Sequence, residues 1–205
     1  MRLFSYKMTH DTGFAPNPFG RTLTLANCRP RMREKKRVGD WVAGLTTKTL
    51  HNDPVGEERL VYLMKVGEKL LFRDYFEDKR FQDKKPDMNP KNPTAMVGDN
   101  IYRPLHSDAL EAIEFERLNN CSHADRDKKG DIGGMYVLIA QEFYYFGRSP
   151  IGFPVNLRPK ISSRRPPPHG VLTPPELAGK LIDYIRENYK LGMNDLPYTW
   201  PCCQI

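Results

Sequence analysis

The segment Gly98-Asp99-Asn100-Ile101-Tyr102, followed by His106, puts a carboxylate, an amide, a phenol and an imidazole within nine residues. His123 with Asp125 adds a second imidazole–carboxylate pair. Imidazole titrates near neutral pH, so either histidine can act as a general base if the neighbouring carboxylate orients its ring. Asp99, Tyr102, His106, His123 and Asp125 are therefore the candidate catalytic groups. Against this, His106, His123 and Asp125 all fall in loop-like sequence, where a surface histidine is the commoner outcome. A three-ligand metal set from His106, His123 and Asp125 has only its H-x-D spacing behind it, so no metal and no cofactor is assigned. Cys28 stands directly before Arg29-Pro30, and cations beside an exposed sulfur would stabilise its thiolate. A lone cysteine next to a strand is more often a small core residue.

A second set of residues has the chemistry of nucleotide or nucleic-acid binding. Six cations and one anion occupy residues 29–37, with Arg29, Arg31, Arg33, Lys35, Lys36 and Arg37 as candidate phosphate contacts. Arg158, Lys160, Arg164 and Arg165 form a second cationic stretch, and together the two runs exceed the chain's net charge of +7. Asn17 lies between two prolines, where a restricted backbone would aim its amide at a base edge or close an Asx-turn. Phe19, Trp41 and Tyr102 are candidate stacking partners for a base, Asp40 and Asn100 candidate hydrogen-bonding partners. Lys84 and Lys85 beside Pro86 sit in what reads as an exposed loop, and are assigned to phosphate.

The elements that must hold these groups are mixed. With 205 residues and 39% hydrophobic content the chain is long enough to bury a core. Residues 2–7, 21–26, 40–46 and 60–66 alternate or are rich in β-formers and predict strands, and 135–146 predicts a buried one. The aromatic spacing in 71–76 predicts one or two helical turns. Residues 83–97 predict an irregular exposed loop, 108–118 a weak helix, and 119–134 a loop. Thr173-Pro174-Pro175-Glu176 predicts a helix with Thr173 as N-cap and a capping box to Glu176, running to about Tyr189. Domain organisation is expected as a core over 1–157, a basic Pro-rich arm over 158–173, and a C-terminal helix and tail over 174–205 that pack on the same core.

Four cysteines without a CxxC pair, the lack of an apolar leader and the lack of a membrane-length apolar run predict a reduced, cytoplasmic protein with no membrane partner. No phosphate loop of the GxxxxGK type, no dinucleotide fingerprint and no HExxH helix is present. Those absences argue against a P-loop ATPase, a nicotinamide dehydrogenase and a zinc peptidase.

Several segments together resemble a known family. Leu3-Phe4-Ser5-Tyr6, Gly13-Phe14-Ala15-Pro16-Asn17-Pro18-Phe19, Thr24-Leu25-Ala26-Asn27-Cys28-Arg29-Pro30 and Val38-Gly39-Asp40-Trp41 are similar to the nucleotide modification associated domain 2 family. Tyr62-Leu63-Met64-Lys65-Val66, Gly98-Asp99-Asn100-Ile101-Tyr102, Phe143-Tyr144-Tyr145-Phe146-Gly147 and the ending Leu196-Pro197…Trp200 extend that likeness over nearly the whole chain. The resemblance implies association with phage or bacterial systems that modify nucleic-acid bases, and no defined reaction. The Gly-Asp strand entry after a basic segment is also similar to the small β-barrels of the PUA, ASCH and EVE type.

The expected fold is α+β: a mostly antiparallel sheet, with a barrel-like (PUA/EVE-like) form left open, and the C-terminal helix packed on it. The expected function is a nucleic-acid or nucleotide binding module, DNA ahead of RNA, in a base-modification system, with other proteins of that system as further partners. The alternatives are an enzyme acting on a nucleotide or base through an Asp/His acid–base site, and an interaction module using the Pro-rich arm.

Overall fold

A computed structural model describes residues 1–89, 91–161 and 167–200. In chain order the strands and α-helices are β1 (Leu3–Lys7), β2 (Leu23–Leu25), α1 (Pro30–Lys35), β3 (Trp41–Leu45), α2 (Lys48–His51), β4 (Leu60–Lys65), β5 (Glu68–Leu71), α3 (Phe72–Glu77) and α4 (Pro93–Met96). They continue with β6 (Tyr102–Pro104), β7 (Phe115–Arg117), α5 (Asp125–Ile132), β8 (Tyr136–Ala140), β9 (Phe143–Tyr145), β10 (Val171–Thr173), α6 (Pro175–Asn188) and β11 (Gly192–Met193). Six strands form one sheet in the order β10-β1-β3-β4-β9-β11, three form a second in the order β2-β8-β5, and β6-β7 is a separate hairpin pair. Pairing is antiparallel except for β1 with β3 and β9 with β11.

The two larger sheets are connected at a corner where both chains of one hairpin cross over. β4 runs on into β5 through Gly67, and β8 into β9 through Gln141-Glu142, with Gly67 N–H donating to Ile139 O (2.8 Å) and Lys65 N–H to Glu142 O (2.9 Å). Strand alternation then divides the apolar residues into layers. On β3, Trp41, Ala43 and Leu45 face α6, whose Ala178, Leu181, Ile182 and Ile185 recur at helical spacing. Val42, on the opposite face, packs with Tyr6, Tyr62 and Met64 against Leu23, Leu25 and Leu138 of the second sheet. The outer face of that second sheet carries Val137 and Ile139, covered by Phe72, Tyr75, Phe81, Ile101, Phe115 and Ile132. The fold is thus α+β with mostly antiparallel pairing. Among the described residues the strand pairings do not close into a ring.

The strands expected over 2–7, 21–26, 40–46 and 60–66 are β1 to β4, and the helix over 71–76 is α3. Other expectations are corrected. Residues 108–118 hold a 3-10 turn and β7 instead of a weak helix, because Phe115 is drawn into the core beside Phe72. The expected loop over 119–134 contains α5. The last helix starts without a capping box. Thr173 pairs with Leu3 as part of β10, its Oγ1 accepts from Lys160 N–H (3.2 Å), and Glu176 pairs with Lys180 instead. Arg164 and Arg165 lie outside the described residues, but the flanking part of the basic arm is not free. Arg158 pairs with buried Glu58 (2.8 Å), and Ser5 Oγ donates to Lys160 O.

Candidate active site

β2 leads through Ala26 and Asn27 to Cys28 and Arg29, and α1 begins at the next residue. Cys28 (φ 59°) and Arg29 (φ 43°) are consecutive non-glycine residues in the left-handed region. Such conformations cost about 1–3 kcal/mol each and persist only when the surroundings impose them. Here each peptide group is held. Cys28 N–H donates to Asp131 Oδ1 (2.8 Å), Cys28 O accepts from Arg33 Nε (2.8 Å), and Arg29 O accepts from the N–H groups of Met32 (2.9 Å) and Arg33 (3.1 Å). Arg33 is fully buried and also donates to the carbonyls of Tyr136 (2.7 Å) and Asp131 (2.6 Å). Burial pulls its pKa down to about 10 despite the charge of Asp131. Gly134 is required beside it, since a Cβ there would lie 2.7 Å from the guanidinium carbon.

The sulfur of Cys28 lies 3.4 Å from His123 Nε2, and His123 Nδ1 lies 2.6 Å from Asp131 Oδ2. Tyr102 donates its hydroxyl to the same Asp131 oxygen (2.8 Å), and Phe14 packs edge-on against the imidazole at 4.8 Å. Each ring nitrogen has one partner, so the orientation of His123 is fixed from both ends. Burial opposes charge on this ring, but the hydrogen bonds to Asp131 and Cys28 outweigh it and raise His123 to about 10. Burial, followed by the Asp131 charge, raises Tyr102 and keeps it a donor. Cys28 and His123 line a cavity of about 340 Å³ together with Tyr6, Thr9, His10, Arg29 and Ser122. No carboxylate among the described residues lines it. The Arg29 guanidinium stacks 4.4 Å from the centre of the Tyr6 ring and donates to Lys7 O. A sulfur, an imidazole that already holds a proton and a buried carboxylate form the constellation of nucleophilic cysteine chemistry.

A larger cleft of about 800 Å³, lined by Arg21, Lys79, Arg80 and Lys84, lacks such a constellation, and Arg80 is tied to Glu68 and Asp78.

The structure separates most of the residues expected to act together. Asp99 is buried and accepts from Thr24 Oγ1 (2.6 Å) and Tyr75 OH (2.7 Å), away from His106. His106 is exposed, bonded to Asp108 (2.7 Å) and close to Glu114 (3.2 Å). Asp125 is exposed on the first turn of α5 and pairs with Arg117, so His123 takes Asp131 as its carboxylate instead. His106, His123 and Asp125 do not converge, and no group of three potential ligands suited to a metal occurs among the described residues.

The expected phosphate contacts are largely used within the fold. Arg33 is buried as described, and Lys36 is buried with its ammonium 3.3 Å from the centre of the Phe4 ring. Arg31 and Lys35 are exposed and both pair with Glu34, while Arg37 is exposed. Lys84 is buried rather than in an exposed loop, and Lys85 lies over the Phe76 ring (3.6 Å). Lys84 Nζ donates to Asn17 O, Asn17 Oδ1, Phe19 O and Thr22 O at 2.8–3.2 Å. Asn17 also donates to Val97 O (2.9 Å) and accepts from Phe19 N–H (3.2 Å), the Asx-turn alternative. Asp40 binds Arg2 and caps Arg37 N–H, Trp41 is buried against α6, and Asn100 donates to Tyr75 O and Phe81 O. Phe19 stacks on Trp200.

The residue that sequence reasoning missed is Asp131. Its only local signal is a Gly-Asp pair inside a polar stretch, and the helix that turns it back onto His123 has almost no apolar stripe. Cys121, also at the cavity, is disulfide-bonded, which corrects the expectation of four reduced thiols.

The nucleotide modification associated domain 2 model matches residues 1–203. The chain belongs to the nucleotide modification associated domain 2 family. That membership associates the chain with nucleotide modification, and the match covers the β2–α1 turn, α5 and the residues that line the cavity. No curated protein and no solved structure matches the chain. No helix among the described residues is long and apolar enough to cross a membrane.

Proposed function

We propose that this protein is an enzyme that acts on a nucleotide or nucleobase through Cys28 as nucleophile, with His123 as the acid–base group and Asp131 as its positioning partner. The observation that supports this reading is the bonded series Cys28 Sγ–His123–Asp131 opening onto a cavity. His123, raised to about 10, holds its proton through neutral pH and can protonate a leaving group. The cavity has room for one nucleotide unit and not for a duplex, so a base within a strand would have to be unstacked to enter. Arg29, in a lining that holds no carboxylate among the described residues, suits an anionic substrate.

Incubation with nucleotide mixtures and with modified and unmodified DNA, followed by mass spectrometry, tests this. Conversion by the native chain that disappears in Cys28→Ala is expected. Conversion that survives in Cys28→Ala would refute the assignment.

A nucleic-acid binding module is the second reading, favoured by the exposed Arg31, Lys35 and Arg37 on and just after α1. It calls for affinity that falls steeply with salt. Since Arg31 and Lys35 already share Glu34, the expected slope is shallow.

A further inference from the structure

We propose that the reaction at this site is acyl transfer through a thioester on Cys28, with the main-chain N–H of Arg29 in the oxyanion position. The proposal rests on Cys28 being the nucleophile. It starts from how the sulfur is presented: a strand, a left-handed residue that lines the cavity, and a helix starting two residues later. A strand–turn–helix of this kind lifts a nucleophile clear of its sheet and leaves the N–H of the following residue beside the reacting carbon. In many cysteine and serine enzymes the nucleophile's own N–H also serves as a donor. Here that N–H is committed to Asp131 Oδ1, whereas the N–H of Arg29 meets no acceptor among the described residues. The donor left next to the sulfur is therefore that of Arg29.

The steps balance without an oxidant or reductant. Cys28 sulfur adds to the carbonyl carbon of an ester, amide or thioester, and the carbonyl π pair moves onto oxygen at the Arg29 N–H. Collapse expels the leaving group, which takes the proton from His123 Nε2, and a thioester remains. Water or an amine then attacks that thioester, gives its proton to Nε2, and the carbon–sulfur bond breaks with its electron pair returning to sulfur. The exocyclic amine of a nucleobase is the acceptor class that agrees with the family, and its product is an N-acylated base.

Acylation by 4-nitrophenyl acetate tests this, read by 4-nitrophenolate release and by mass spectrometry of the chain and of its Cys28 peptide. A burst of one equivalent, a hydroxylamine-sensitive acetyl group on Cys28 and continued turnover are expected. His123→Ala and His123→Gln should slow acylation about 100-fold or more. Arg29→Gly removes the guanidinium from the cavity and leaves the main-chain N–H, so acylation of this neutral ester should fall less than in His123→Ala. A folded Arg29→Gly chain that loses acylation as fully as His123→Ala would move the oxyanion role to the guanidinium and overturn the assignment. Iodoacetamide labelling separates the two levels of the account. Fast, His123-dependent alkylation of Cys28 without acetylation, or with one acetylation and no turnover, overturns acyl transfer and leaves the nucleophile standing. Alkylation no faster than in His123→Ala removes both.

Discussion

Two buried carboxylates, Asp131 and Asp99, are built from similar parts and do different work. Each accepts a tyrosine hydroxyl, Tyr102 at 2.8 Å for Asp131 and Tyr75 at 2.7 Å for Asp99. Each is linked to the β2–α1 turn, Asp131 through Cys28 N–H and Asp99 through its carbonyl, which accepts from Asn27 Nδ2 (2.8 Å). Around Asp99 the remaining groups close on themselves, with Thr24 on the carboxylate and the nearby Lys84 ammonium shared among four oxygens of residues 17–22. Around Asp131 the bonds run outward, through His123 to a sulfur at the cavity wall. A buried ionisable cluster is therefore a poor marker of chemistry by itself. What marks it is a series of bonds ending at an accessible reactive atom.

The sharpest way to break this contrast is to exchange the expected consequences. Cys28→Ala should abolish conversion and fast alkylation while changing unfolding free energy by no more than about 1 kcal/mol, checked by assay and urea titration. His123→Ala comes next, with an expected loss of about 10²–10⁴ in rate. Lys84→Met should reverse the pattern. It removes the cation from four acceptors and should cost about 3 kcal/mol of stability, with alkylation of the folded fraction unchanged. If Lys84→Met left stability intact and removed activity, the division between scaffold and site would fail.

A further effect is expected from pH. The folded His123 pKa is raised from 6.5 to about 10, so its contribution to stability is complete below about pH 6.5 and is lost as pH rises through about 10. The stability difference between the native chain and His123→Gln should shrink over that window in thermal unfolding. Tyr102→Phe should have the smallest effect, about 1 kcal/mol, and should shift the His123 titration measured by NMR without abolishing conversion.

The sequence pattern made the strands legible, because β1 to β4 alternate or carry β-branched and aromatic residues that share faces of the sheets. α3 and α6 were legible for the same reason at helical spacing. α1 and α5 were not. Met32 is the principal apolar anchor of α1 and Ile132 that of α5, and both helices are held by polar bonds from Arg33 and Asp131 to distant backbone. The site was legible in its parts: His123 is identifiable as an acid–base group and Cys28 as a thiol beside cations. Their pairing was hidden because sequence proximity pointed to Asp125, which the first turn of α5 directs to Arg117. Two members of the run of cations are not free for phosphate, because Arg33 faces inward onto carbonyls and Lys36 onto an aromatic ring, which charge alone does not reveal.

The most direct test of the central claim is the rate of Cys28 alkylation by iodoacetamide at pH 7, followed by peptide mass spectrometry in the native chain and in His123→Ala. An imidazolium-supported thiolate predicts a native rate about tenfold or more above that of the variant. Equal rates would show that His123 does not activate the sulfur, and would contradict Cys28 as the nucleophile.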